Sequence, residues 1–102
     1  MTMLFLIKMR VSFPHELSDN DRSALRTQEA EVAKKLAQEG TLIRLWKADA
    51  NTATWGIWQA VDQRNVELAI KSLPLHAYME TETHQLTEHP NDPKSAEMRV
   101  PA

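Results

Sequence analysis

The 102-residue chain contains no cysteine. A disulfide framework, thiol catalysis and thiolate metal ligation are therefore excluded, and a reducing compartment suits the composition. Glycine is nearly absent as well, at two residues. Two are too few for a glycine-rich phosphate cradle, so no nucleotide cofactor is expected. No long apolar run occurs: the opening is apolar only from Met3 to Ile7, and Lys8 and Arg10 follow that run instead of preceding it. That pattern is neither a signal peptide nor a membrane span, so a cytoplasmic location is expected and a membrane is not an expected partner. Twelve Lys and Arg against fourteen Asp and Glu give a net charge of -2. Such a balance offers no broad basic face, and nucleic acid is not an expected partner either. His15, His76, His84 and His89 have no metal-ligand spacing, so no metal site is expected.

With 42% hydrophobic residues the chain can bury a modest core. One domain over 1–89 is expected, followed by an extended, Pro-containing polar tail over 90–102. From Met3 to Val11 a strand puts Phe5, Ile7, Met9 and Val11 on one face and Leu4, Leu6, Lys8 and Arg10 on the other. A turn at "FPHELSDND" leads into a helix from Asp19 to Gln38, capped by Ser18 or Asp19 and stopped at Gly40. "TLIRLWKA" and "TATWGIWQAV" read as a hairpin joined by "DANT". A shorter helix over "DQRNVELAIKSL", with Val66, Leu68, Ala69 and Leu73 available for burial, ends at Pro74, and "METETHQL" closes as a strand with Glu80 and Glu82 on one face. The order strand, helix, strand, strand, helix, strand predicts an α+β, ferredoxin-like βαββαβ fold: an antiparallel sheet with two helices on one face. The other sheet face would carry Leu4, Leu6 and tryptophans. Its burial by self-association predicts a homo-oligomer.

Within "LRTQEAEVAKKL", Leu25, Val32 and Leu36 recur at helical spacing, and Glu29 falls on the same stripe. A carboxylate held there would gain proton affinity from its apolar neighbours and could serve as an acid/base group. The plainer alternative is an exposed helix-surface pair with Arg26. Arg22 lies on the same flank. On the second strand, Arg44 and Trp46 alternate with Leu42 on one face, and Lys47 shares the other with Ile43 and Leu45. A cation among apolar and aromatic groups can hold a small carboxylate, and it can equally be an edge-strand charge whose stem covers Trp46. Trp55, Trp58 and Tyr78 fit a cavity wall or the core. His76 sits in the connection "LPLHAYM", where loops line sites and where solvated histidines also occur.

The series "MLFLIKM", "FPHEL", the helix with Glu29, "EGTLIRLWK", "SLPLHAYM" and "EHP" resembles, in order and spacing, the muconolactone Δ-isomerases, over about Met3 to Pro90. The resemblance implies a cofactor-independent enzyme of aromatic catabolism in the β-ketoadipate pathway, shifting the double bond of a carboxymethyl-substituted butenolide by proton transfer. It also implies a ferredoxin-like fold and a homo-oligomer, with a dimer building block and a decamer as the family's form. By resemblance Glu29 is the acid/base group. Arg26 would stabilise the dienolate oxygen or the substrate carboxylate, and Arg44 and Lys47 would anchor the carboxymethyl group; Arg22, Trp46, His76 and Tyr78 are further substrate-binding candidates from their places in the chain. The chain departs from the family pattern at Arg44, at His76 and Ala77, and along "NTATWGIWQ". A related enzyme performing dehydration, dehalogenation or cyclisation on another small acidic or aromatic metabolite is compatible with the same scaffold, as is a non-catalytic binding oligomer.

Overall fold

The computed structural model describes residues 1–94; the expected tail segment 95–102 lies outside the described residues. Strand β1 (Met3–Val11) is followed by helix α1 (Asp19–Gln38), β2 (Leu42–Ala48), β3 (Ala53–Ala60), helix α2 (Gln63–Lys71), a 3-10 turn (Pro74–Tyr78) and β4 (Met79–Leu86). The strands form one antiparallel sheet in the order β2-β3-β1-β4, as the predicted ferredoxin-like arrangement requires. Among the described residues no helix is long and apolar enough to cross a membrane.

Local chemistry sets the helix ends. The Ser18 hydroxyl accepts from the Asp21 N–H at 3.0 Å, and Asp19 and Asp21 place negative charge at the positive end of α1. At the other end Gly40 adopts φ +84°, which lets Gly40 N–H reach Ala37 O at 3.1 Å and Thr41 N–H reach Leu36 O at 2.9 Å. These two bonds satisfy carbonyls that the ending helix would otherwise strand. In α2 the Asp62 carboxylate caps Asn65 N–H at 2.8 Å.

The core lies between the helices and one sheet face. Phe5, Ile7 and Met9 from β1 pack with Leu42, Trp58, Leu36, Val66, Ile70 and Leu73. Phe5, Ile7 and Val66 are fully buried, each contributing about 1.5–3 kcal/mol by its removal from water. In α2 the inward positions are Val66, Ala69 and Ile70, whereas Leu68 is exposed, contrary to expectation. Two residues along a helix turn a side chain some 200° from Val66, which carries Leu68 to the outside.

One irregularity alters which residues share a face. Leu42 pairs with Trp58, but Arg44 pairs with Ile57, so two steps along β2 match one along β3. This bulge inverts the alternation. Leu42 faces the helices with Trp58, and beyond the bulge Leu45 and Lys47 face them, opposite Gly56 and Thr54. Arg44 and Trp46 lie on the open face instead, so the expectation that they share a face with Leu42 is corrected. That open face carries Leu4, Leu6, Trp46, Trp55 and Leu86, with Lys8 and Arg10 opposite Glu82 and Glu80.

Gly56 is where the sheet and core crowd most closely. A Cβ there would stand 2.7 Å from Trp58 Nε1, 2.8 Å from Leu45 Cδ2 and 3.2 Å from the Arg44 carbonyl oxygen. Side chains can swing aside, but the strand carbonyl cannot. Gly56→Ala is expected to destabilise the fold by about 1–3 kcal/mol, read as a lower urea midpoint at unchanged m-value.

Candidate active site

The helix face of the sheet encloses two adjoining hollows under α1. The inner one, roughly 270 Å³, is walled largely by apolar groups from Met9, Leu42, Leu45, Trp58 and Leu73, with Glu29 and Arg26 as its ionisable members. The outer one, roughly 660 Å³, has a mixed lining, with Arg10, Ser12, Arg26, Lys47, Asn51 and Thr52 as its polar members. Met9, Val11, Arg26, Thr54 and Leu75 border both, so the hollows share a wall.

Glu29 occupies the inward stripe of α1 with the half-buried Leu25, Val32 and Ala33. Its carboxylate reaches a segment far along the chain: Leu75 N–H donates to Glu29 Oε1 at 3.0 Å. The local sequence leaves that N–H free. Pro74 opens the 3-10 turn without an amide hydrogen, and the next turn bond runs from His76 N–H to Leu73 O at 3.0 Å. Leu75 therefore has a donor without an acceptor inside its own turn. Glu29 supplies one. Burial raises the proton affinity of the Glu29 carboxyl above its ordinary value of 4.5, and the Leu75 N–H partly opposes the rise. With Oε1 tied to the backbone, Oε2 is the oxygen left to exchange a proton.

The salt-bridge alternative for Glu29 is not what forms. Arg26 turns away to stack its guanidinium 5.3 Å from the Phe13 ring centre, and among the described residues no ion pair joins it to Glu29. It borders both hollows all the same. Arg22 is engaged elsewhere, donating to Leu17 O and Pro14 O at 3.0 Å each while stacking on the same Phe13 ring. Its guanidinium pins the turn before α1 and lines neither hollow.

Lys47 borders the outer hollow because the bulge has turned it toward the helices. Arg44 and Trp46 sit on the opposite face, where the guanidinium lies 4.8 Å from the Trp46 ring, the arrangement of an edge-strand cation covering an aromatic. His76 lies in a separate small depression with Glu67, Lys71 and Thr81. Tyr78 packs its ring 5.6 Å from Phe13 and so supports the vestibule wall from behind. Of the eight residues expected from sequence, the structure gathers Glu29, Arg26 and Lys47 around the two adjoining hollows. Leu75 N–H, Leu45 and Thr54 join them unforeseen. The signal for the first was present in the sequence: a proline opening a turn leaves the following amide in search of an acceptor. Among the described residues no group of three acidic or histidine side chains could hold a metal ion.

A family model described as muconolactone delta-isomerase matches residues 3–92. The muconolactone delta-isomerase of Pseudomonas putida is 30% identical over 89 residues, covering 87% of this chain and 93% of that protein. The Rhodococcus opacus muconolactone delta-isomerase is 25% identical over 91 residues, covering 89% and 98%. A crystal structure of muconolactone isomerase superposes with a TM-score of 0.82 at 30% identity, covering 89% of this chain and 95% of that one. The cofactor-independent oxygenase SnoaB of Streptomyces nogalater shares the fold at a TM-score of 0.52 and 17% identity, covering 90% and 97%.

Because burial raises the Glu29 pKa, ionising the group costs the folded state stability. Folding is favoured below the unfolded carboxylate value, and that contribution is lost as pH rises through the higher folded value. Glu29→Gln keeps an oxygen for Leu75 N–H and never ionises. The variant should therefore show a higher urea midpoint than the parent at pH 8, with the gap closing as pH falls below 4.5.

Proposed function

Because the chain belongs to the muconolactone delta-isomerase family, we propose that it is an isomerase of the β-ketoadipate pathway that moves a proton, and with it a double bond, in a carboxymethyl-substituted butenolide. The observation that carries this reading is the half-buried Glu29, raised in proton affinity, tied through Oε1 to Leu75 N–H and bordering an apolar hollow. Glu29 Oε2 takes a proton from a ring carbon of the lactone. The C–H electrons become a double bond of the dienolate, and negative charge moves to the lactone oxygen. The same carboxyl, after its proton has exchanged with solvent, then protonates the distal carbon, regenerating the carboxylate. A carboxylate made more basic by burial removes a carbon-bound proton more readily, and a fixed Oε1 keeps the other oxygen aimed at the ring.

The polar vestibule suits the substrate's carboxylate. Arg26 and Lys47 offer cations at its edge, where they can remain partly hydrated and still hold an anion. Arg26, bordering both hollows, orients the acidic arm relative to the ring.

The open sheet face supports a homo-oligomer built from dimers. Leu4 and its cross-strand partner Leu86 are 42% and 37% exposed, and Trp46 at the other edge of the same face is 44% exposed, apolar area that a second copy would cover. Sedimentation velocity is expected to show an assembly larger than one chain, and Leu4→Glu to shift it toward smaller species.

With muconolactone in deuterated buffer, the wild-type protein should release product bearing solvent deuterium. Glu29→Gln should lower kcat by about 10²–10⁴-fold, the range of a lost acid/base group. Lys47→Met should raise KM by about tenfold with kcat nearly kept, as expected for one lost hydrogen bond to a charged group.

A further inference from the structure

Trp58 is 1% exposed, and its indole Nε1 is the buried side-chain polar atom among the described residues that has no hydrogen-bond partner. Native interiors rarely leave a donor in that state, because desolvating an N–H without an acceptor is unfavourable. The surroundings give it none. Trp58 is a wall of the inner hollow, on the face of β3 that looks toward α1 and Glu29. Beneath it the backbone is a glycine: the point where a Gly56 Cβ would sit is 2.7 Å from Nε1 and 2.8 Å from Leu45 Cδ2. Any larger residue at 56 would push into the indole edge. Leu45, 43% exposed and bordering the same hollow, is therefore the movable part of the cover over Nε1.

We infer that the Trp58 indole N–H is a substrate-binding donor held in reserve, receiving the lactone carbonyl oxygen once the ring enters the hollow and displaces the Leu45 side chain. This rests on the isomerase reading above. When Glu29 withdraws the ring proton, the electron pair of the broken C–H bond passes into the dienolate, and the oxygen facing Trp58 takes the negative charge. No atom or electron is needed from elsewhere. A neutral donor in an apolar enclosure strengthens its bond as that charge develops, which favours the transition state over the bound lactone. The division of tasks then follows the hollows: cations for the carboxylate outside, the carboxyl and the indole for the ring inside.

Two measurements test the assignment. The chain has three tryptophans, so 15N-labelled indoles give three N–H resonances. In the Glu29→Gln protein, titration with muconolactone should move the Trp58 resonance downfield and leave those of Trp46 and Trp55 in place, with Trp58 identified by the signal absent from Trp58→Phe. For the second, benzothienylalanine at position 58 keeps the bicyclic ring and replaces N–H by sulfur. Its kcat should fall by about a hundredfold, the cost of one oxyanion donor, with a smaller change in KM. Its melting temperature should not fall, since the ligand-free protein loses only an unpaired donor. That result separates a donor from a packing group, which would lose stability and keep its kcat once folded.

A Trp58 resonance unmoved by muconolactone, or a benzothienylalanine variant with wild-type kcat, overturns the inference while wild-type deuterium incorporation leaves the isomerase reading intact. If the wild-type protein does not turn the lactone over, the isomerase reading falls. The indole resonance then decides the donor alone: a shift upholds a lactone-binding Trp58, and no shift removes it.

Discussion

The hydrogen bond from Leu75 N–H to Glu29 Oε1 spans 46 positions of sequence and fixes the chemistry of the cavity. Without it, Glu29 would be a long, flexible carboxylate on a mostly solvated helix, free to swing into water. With it, α1 is tied to the 3-10 turn between α2 and β4, and the carboxyl is held where apolar side chains limit its hydration. The bond opposes the rise in proton affinity, yet burial outweighs it. One backbone N–H recovers part of the charged form's lost solvation, and the remaining deficit makes the group basic. Proton affinity and orientation therefore have a common origin. Both depend on the place of Leu75 in the first turn of the 3-10 segment that Pro74 opens, where its N–H has no acceptor inside the turn.

The bulge in β2 is the second determinant. An unbroken strand would place Leu42, Arg44 and Trp46 together and send Leu45 and Lys47 to the opposite side. The slipped register instead supplies the cavity with an apolar lid and a rim cation, and gives the open face a stacked Arg44 and Trp46. A single extra residue thus divides β2 between two tasks. Lys47 and Leu45 belong to the hollow; Arg44 and Trp46 belong to the surface that a second copy would cover.

This is also where the sequence ceased to be readable. The strand and helix order, the boundaries of α1, the Gly40 stop and the inward position of Glu29 follow from periodicity and capping chemistry, which are local. Facing beyond Leu42 does not, since a bulge leaves no compositional trace in "TLIRLWKA". The positions of Arg22 and Arg26 were illegible for a different reason. Helical spacing places both near Glu29, but the exposed carbonyls of Pro14 and Leu17 and the ring of Phe13 compete for guanidinium groups, and those partners lie in an irregular turn. His76 stands in the connection after α2, within its 3-10 turn, but lines a separate depression with Glu67 and Lys71.

The separation of charges follows from what each group can tolerate. A guanidinium or ammonium pushed into the inner hollow would need a fixed counter-ion, and the obvious one, Glu29, would then lose its basicity to the pairing. Keeping Arg26 stacked on Phe13 and Lys47 at the rim avoids that cancellation. The ring's end of the inner hollow is then polarised chiefly by neutral groups: the Leu75 amide is already committed to Glu29, whereas the Thr54 hydroxyl at the border and the buried Trp58 indole in the wall are not. A donor without charge leaves the resting carboxylate's proton affinity almost untouched and acts chiefly when negative charge appears on a bound oxygen. An apolar chamber of this kind, if it forms the proposed enolate, gains more from such a group than from another cation.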